Sequence, residues 1–467
     1  MENKLVYGIK DRPKFGPMLV FAMQQLLAIL AATIVVPVIV GNGMSTSAAL
    51  FGAGIGTLVY QLFTKFRSPV FLGSSFAFIG SMSAAFAGAG SYVLLGYLGL
   101  IIGALFAGLI YVIIAIVVKF AGVKWINKLM PPVVIGPTVA LIGLSLAGAA
   151  IKDVFSYGET VTFGTSQYYV MKPEIWISVI CSMVTLFVVI LCSTYGKKMT
   201  KLIPFIIGIL AGYVVATIFT VIGMKTGNKS LIVIDFEPFT DLFANGVRLD
   251  SFFAVPEFTF LKAFEGLKHF SPSFIATVAV AYIPVAFVVF AEHIADHKNL
   301  SSIVNKDLLE DPGLHRTLLG DGVGSAVGAI FGGCPNTTYG ESVGCVAITR
   351  NASVITITTT AIMAALISFI SPFVAFLDSI PGCVMGGVCI TLYGFIAVSG
   401  LKMIQKVDLE DNANLFTVSA ILIPGIGGMA MNIGEVYITT IACALILGII
   451  VNALLHIKKK EAPAEEE

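Results

Sequence analysis

The chain is 467 residues long, 57% hydrophobic and 12% charged, with a formal net charge of +1 and a mean hydropathy of +0.94. Such a composition excludes an ordinary soluble domain and offers no basic surface for nucleic acid; it describes a chain that lives largely in lipid. Long apolar runs without alternation also exclude a transmembrane barrel, whose strands alternate over roughly 10 residues.

A helical span takes roughly 20 apolar residues to cross about 30 Å of hydrocarbon. In chain order the apolar runs predict spans at 16–40, 47–64, 69–88, 92–118, 131–150, 174–195, 202–224, 272–297, 318–333, 338–349, 352–377, 381–400, 413–430 and 434–456. About ten are clear and four are short or interrupted by Gly and Pro. Met1-Glu-Asn-Lys leads through a polar stretch into an apolar run too long for a secretory signal, so the first span is expected to direct insertion.

With fourteen spans and the amino terminus inside, 21 of the 28 Lys and Arg residues fall on the cytoplasmic side, leaving Lys152, Lys172, Lys225, Lys229, Arg248, Lys262 and Lys268 outside. This positive-inside bias tests the whole count, because dropping one span inverts everything after it. Both termini are therefore expected in the cytoplasm, with the chain in the cell (inner) membrane. The seven cysteines are odd in number and contain no Cys-x-x-Cys, so neither a disulfide framework nor a zinc site is indicated.

The chain divides at 225–271, a mixed-charge stretch holding Asp235, Glu237, Asp241, Arg248, Asp250 and Glu257. Seven predicted spans lie on each side, which puts the halves in opposite orientations, the plan of an inverted repeat. Met130-Pro-Pro-Val-Val-Ile-Gly136 in the fifth span matches Ile380-Pro-Gly-Cys-Val-Met-Gly386 in the twelfth. The third span contains Pro69-Val-Phe-Leu-Gly-Ser-Ser-Phe-Ala-Phe78 and the tenth Gly332-Gly-Cys-Pro-Asn-Thr-Thr-Tyr-Gly-Glu341. Broken segments at matching positions of two halves point to a midplane binding site, because unwound backbone is tolerated there only where it lines a cavity or packs in protein. Close helix packing through small residues is the alternative reading of either segment alone, and it weakens when both occur in register. The stretch Lys298–Arg316, with its Asp311-Pro-Gly turn, and the tail from Lys458 read as topological features of the cytoplasmic face.

Two glutamates lie where lipid should make them intolerable: Glu292 in Ile283-Pro-Val-Ala-Phe-Val-Val-Phe-Ala-Glu-His, and Glu341 after Asn336-Thr-Thr-Tyr-Gly. A carboxylate at membrane depth costs several kcal/mol, and substrate or ion pathways are the usual reason to keep one. Glu292 and Asp296 are four residues apart and share one helix face, as do His293 and His297 on the adjacent face. The order Glu-His-x-x-x-His differs from the His-Glu-x-x-His of metalloprotease helices and lacks a third ligand, so no metal is indicated. The start of a half-helix carries a partial positive charge that receives carbonyl oxygens or a carboxylate. A protonated carboxyl presents a donor beside an acceptor, the complement of a cis-amide edge. Proton uptake by Glu292 or Glu341 would then complete the hydrogen bonds of a lactam-like substrate such as a nucleobase.

At these residues the sequence resembles the nucleobase–ascorbate transporter family, within the nucleobase–cation symporters. Pro335-Asn-Thr-Thr-Tyr-Gly-Glu-Ser-Val-Gly-Cys-Val-Ala-Ile-Thr-Arg350 is similar to the family signature, and Ala291-Glu-His-Ile, Lys306-Asp-Leu-Leu, Asp311-Pro-Gly-Leu-His-Arg316 and Leu72-Gly-Ser-Ser-Phe-Ala-Phe78 also match. The resemblance implies an all-α polytopic fold of two inverted seven-span repeats, with short strands in the broken third and tenth spans. Spans 1–4 and 8–11 would form a core domain (16–118 and 272–377), and the others a gate domain (131–224 and 381–456). An extracytoplasmic loop at 225–271 and a disordered cytoplasmic tail at 457–467 complete the layout.

Carried over to this sequence, the resemblance implies a uracil-like base hydrogen-bonded by Glu292 and Glu341. The N–H groups of Phe76 and Gly340 would meet its carbonyls, and Ser75, Ala32, Tyr339 and Tyr393 would form nearby walls. It implies proton symport through Glu292, Glu341, Asp296 and His297, with no cofactor beyond the coupling proton. Nucleobase, protons and membrane lipid are the expected partners, and a homodimer is left open. Three departures stand out: Ser342 where the signature usually has Asn, Gln25 where many members have His, and Asp296 where some have His, so that a carboxyl replaces an imidazole on the expected proton route. Glu rather than Gln at 341 favours uracil over xanthine or urate. A purine symporter is the alternative, and a membrane enzyme built on Glu292, His293 and His297 lacks the partners it would need. A channel fits the inverted-repeat plan poorly.

Overall fold

Residues 5–122, 131–155, 159–163, 166–170, 176–197, 199–244, 246–433 and 436–457 are described by the computed structural model of the chain. The first half runs α1 (Phe15–Val40), α2 (Thr46–Phe63), β1 (Leu72–Ser74), a 3-10 turn (Phe76–Phe78), α3 (Ile79–Gly88), α4 (Val93–Ala121), α5 (Pro132–Ser145), α6 (Ala147–Val154), a hairpin of β2 (Glu159–Phe163) and β3 (Ser166–Val170), α7 (Trp176–Tyr195), α8 (Met199–Leu202) and α9 (Pro204–Thr226). Two short helices follow, α10 (Glu237–Asp241) and α11 (Thr259–Gly266). The second half runs α12 (Pro272–Val304), α13 (Leu314–Gly332), β4 (Asn336–Thr338), α14 (Gly340–Thr349), α15 (Val354–Ile367), α16 (Ser371–Asp378), α17 (Gly382–Ile404), α18 (Asn412–Ile426), β5 (Met431–Ile433), β6 (Val436–Ile438) and α19 (Thr440–Ile457).

Among the described residues, eight helical stretches are long and apolar enough to cross a membrane: α1, α2, α4, α5 with α6, α7, α9, α12 and α17. Their composition explains them, since a lipid-embedded helix satisfies all its backbone groups internally and needs no polar face. The apolar runs differ from the helices in several places. The run 131–150 is interrupted at Leu146, and 352–377 divides into α15 and α16, the latter opening with Pro372 in its first turn. Helix α12 continues past 297 to Val304, because Leu300 and Val304 still bury an apolar face, and it stops where Asn305 turns left-handed at φ 51°. The segment 225–271 is more than a loop: Gly266 of α11 sits so close to the Leu94 carbonyl of α4 that a side chain would collide. The tail at 458–467 and Lys4, Lys124, Lys128, Met130, Lys172 and Lys198 lie outside the described residues.

Several helices pack through small residues, and two antiparallel pairs bear on the site. Along α2 and α13, Ala48 faces Gly332, Gly52 faces Gly328, Gly56 faces Gly324 and Tyr60 faces Gly320, four residues apart on each strand of the contact. A methyl at Gly324 would come within 2.6 Å of the Gly56 carbonyl, so only glycine allows these backbones to meet. Along α5 and α17, Gly136 faces Gly400, and Gly143 faces Tyr393 and Ala397. Between these layers β1 and β4 pair antiparallel, with Leu72 opposite Thr338, Gly73 opposite Thr337 and Ser74 opposite Asn336. Asn336 is buried between α2 and α13 and donates its side-chain amide to the Gly52 carbonyl at 3.0 Å. The strand pair is thereby pinned to the helices beside it.

Candidate functional site

Each strand of the central pair hands over to a helical turn. Beyond β1 the N–H of Ser75 bonds the Pro335 carbonyl at 2.9 Å, after which Phe76–Phe78 turns into α3. Beyond β4 the N–H of Tyr339 bonds the Phe71 carbonyl at 3.2 Å, and α14 begins at Gly340. No side chain caps the first turn at Ser75 or at Tyr339, so N–H groups at both starts are presented toward the same space. Gly73 lets this happen, because a side chain there would strike the Tyr339 ring. The Tyr339 hydroxyl in turn donates to the Ser74 carbonyl at 2.8 Å, locking one strand end to the other.

A cavity of about 430 Å³ lies against these ends, bounded also by α12 and α17. Glu292, Asp296, Glu341, Ser75, Phe76 and Gly340 all line it, as does Tyr339. Two carboxyls of one helix face, a third from the start of α14 and two uncapped turns thus converge on one mostly apolar space. Such a space suits a small flat molecule with a few polar edges. Tyr393 meets it through Phe76, whose ring it approaches edge to face at 6.3 Å between centroids. Ala32 is fully buried on α1 and is not among the lining residues. His297 points away, its Nδ1 donating to the His293 carbonyl at 2.8 Å and its Nε2 lying 2.8 Å from the Tyr60 hydroxyl. A larger cavity, about 730 Å³, is lined by Asp235, Glu237 and Arg248 and contains none of these residues.

Several partners escape the sequence reading. Thr338 of β4 donates to the Asp296 carboxylate at 2.8 Å, so Asp296 is held to the strand as well as facing the cavity. Asp321 and Thr317 of α13 flank His293, with Asp321 Oδ2 2.7 Å from Nδ1 and Thr317 Oγ1 2.9 Å from Nε2. Asp321 stands in an apolar run as Leu318-Leu-Gly-Asp-Gly322, and a charged residue there was the available signal.

The geometry is that of a multi-pass membrane protein whose centre is a strand pair and a carboxyl-lined cavity, and the fold is one shared with membrane transporters. It matches the structure described as the transmembrane domain of a cyanobacterium bicarbonate transporter BicA with a TM-score of 0.60 at 13% identity, covering 95% of this chain and 98% of that one. The chain belongs to the Permease family (Xan_ur_permease), whose profile matches residues 16–434. It is 37% identical to the uracil permease of Bacillus subtilis (strain 168) over 471 residues, covering 100% of this chain and 99% of that protein. It is 36% identical to the uracil permease of Bacillus caldolyticus, covering 97% and 95%.

Proposed function

We propose that this protein imports uracil by proton symport across the cell membrane, with both termini in the cytoplasm. The observation that carries the reading is that Glu292 and Glu341 line one cavity at the ends of the paired strands, in a chain whose full-length relatives are named uracil permeases. A protonated carboxyl and the N–H groups of Phe76 and Gly340 complement the alternating N–H and C=O edge of a pyrimidine dione. Phe76 and Tyr393 supply aromatic walls, and Ser75, Tyr339 and the more distant Ala32 complete the surroundings.

Fourteen spans in two inverted repeats belong to the same reading. It draws support from the antiparallel pairing of α2 with α13 and of α5 with α17, since both pairs join corresponding spans of the two halves. In that arrangement a core (16–118 and 272–377) carries the strands and carboxyls, and a gate (131–224 and 381–456) moves against it to give alternating access. Met403 and Ser399, near the cytoplasmic end expected for α17, line the cavity, and a second cavity of about 430 Å³ reaches Phe76 and Ala77 from the side of Ser145 and Thr440, so the strand ends are approached from both sides as alternating access requires. Asp296 and His297 are the further proton-coupling candidates.

Purified protein in vesicles with an imposed pH gradient should accumulate labelled uracil, and unlabelled uracil should compete better than xanthine. Accumulation indifferent to the gradient rejects symport. Stronger competition by xanthine replaces uracil with a purine.

A further inference from the structure

We infer that the coupling proton is stored on His293, in a hydroxyl–imidazole–carboxylate triad of Thr317, His293 and Asp321 behind the cavity; this rests on the proton-symport reading above. All three side chains are fully buried. His293 Nδ1 lies 2.7 Å from Asp321 Oδ2, and Nε2 lies 2.9 Å from Thr317 Oγ1. The Thr317 hydroxyl is also 3.0 Å from the Leu314 carbonyl. Its single hydrogen therefore has two acceptors within reach, and which it takes depends on the charge of the imidazole.

With His293 neutral, Nδ1–H donates to the Asp321 carboxylate, and Thr317 donates to the bare Nε2. With His293 protonated, Nε2–H donates to Thr317 Oγ1, and the threonine hydrogen swings to the Leu314 carbonyl. Both states leave the imidazole fully hydrogen-bonded without movement of a heavy atom. The only bond made is Nε2–H, formed with a proton from the outer aqueous side, and the same bond breaks when that proton leaves inward. Protonation also turns a buried lone carboxylate, whose Oδ1 has no hydrogen-bond partner, into a neutral ion pair.

His297 passes the first half of this accounting and fails the second. Its Nδ1 donates to a backbone carbonyl, and its Nε2 meets the Tyr60 hydroxyl, which can itself turn to Ser68 Oγ at 2.8 Å. It too could gain a proton with its hydrogen bonds intact. Among the described residues, however, the hydrogen-bond partners of its ring are Tyr60, Ser68 and the His293 carbonyl, none a carboxylate, and that ring is stacked 4.1 Å from His293, so the charge would be an uncompensated buried cation. The ionisable groups around His293 are Asp321 on α13, Glu292, Asp296 and His297 on its own helix, Glu341 on α14, Tyr60 on α2 and Tyr111 on α4. Glu292 interacts electrostatically with Asp321, which links the cavity to the triad.

The test compares two readouts in vesicles: uracil-driven proton uptake in weakly buffered medium, and equilibrium exchange of labelled for unlabelled uracil. His293→Gln should retain exchange and lose both proton uptake and gradient-driven accumulation. A His293→Gln protein that still accumulates uracil with protons overturns the inference. So does a folded one that loses exchange as well, which would make His293 a substrate-binding residue. Should that variant fail to insert, Thr317 decides. Thr317→Val should move the pH midpoint of accumulation and Thr317→Ser should restore it, whereas an unmoved midpoint in Thr317→Val overturns the triad. Wild-type protein that exchanges uracil without taking up protons would instead sink the symport reading itself.

Discussion

Gln25 donates its side-chain amide to Ser342 Oγ at 2.5 Å across 317 residues of chain, and the N–H of Phe71 reaches the same oxygen at 3.0 Å. Both positions depart from the family pattern in sequence, and the structure makes them one feature: a small hydroxyl accepts from an amide side chain where the resemblance has Asn and His. The bond joins α1, α14 and the entry to β1, so it sets where the strand pair sits.

Ser342→Ala would leave two buried donors without an acceptor, each costing about 1–3 kcal/mol. Gln25→Ala removes only one partner. In a double-mutant cycle followed by thermal unfolding in detergent, the two changes should fall short of additivity by about 0.5–3 kcal/mol. Strict additivity would mean that the pair carries no energy.

Glu292→Ala should abolish uracil binding, because the cavity loses the donor–acceptor pair on α12. Glu292→Gln keeps a donor beside an acceptor but cannot gain or lose a proton, so its binding should survive and lose the part of its pH dependence that Glu292 sets. Isotherms at two pH values check both. Unchanged uptake in either variant moves the site elsewhere.

Tyr393→Ala should weaken affinity more than it alters coupling. Its ring reaches the cavity only through Phe76, and an aromatic pair of this kind contributes about 0.5–1.5 kcal/mol. A binding isotherm set beside the proton-to-uracil ratio separates the two effects. A changed ratio at unchanged affinity contradicts the wall role.

Much of this was legible in the chain because lipid allows so few structures. The runs around α1, α4 and α12 could be nothing but helices, and the Gly, Pro and hydroxyl residues at 69–78 and 332–341 marked where helix gives way. The interruptions at Leu146 and between Ile367 and Ser371 were not legible, since the surrounding composition stays apolar and tertiary packing decides where such helices stop. Glu292, Asp296 and Glu341 stood out by charge alone. Asp321 carries the same signal, but its role appears only when α13 is laid beside His293. Thr338 and Ser342 are unremarkable residues in sequence and become informative through partners 42 and 317 residues away.

Asp311 bonds Arg67 at 2.7 Å and Lys306 at 2.5 Å, joining the turn after α12 to the turn after α2. The hydrogen bonds from Lys306 and Arg67 hold its carboxyl down at about 2, against an ordinary value of about 3.9. A depressed folded-state value contributes stability that is present above the unfolded value and lost as pH falls. The thermal midpoint of Asp311→Asn should therefore lie below that of the wild type at neutral pH, and the gap should close as pH falls from about 4 to about 2. The groups are partly exposed, so the gap is small and shrinks in high salt. A gap that widens on acidification contradicts the ion pairs.

Gly328→Ala tests what holds the strand pair. An added methyl at 328 would collide with the Asn336 side-chain amide, which is engaged with the Gly52 carbonyl at 3.0 Å. Asn336 pairs with Ser74 across the sheet and lies five residues before Glu341, so a push on it is transmitted to the cavity. Overpacking of this kind costs about 1–3 kcal/mol, more than the roughly 1 kcal/mol that alanine gains over glycine inside a helix. The variant should unfold at lower temperature and bind uracil more weakly. Gly344→Ala is the control, because a methyl there meets nothing within 4 Å although it lies in α14 itself. That change should be neutral or slightly stabilising, and equal losses in the two variants would mean that the loss at 328 does not arise from the contact with Asn336.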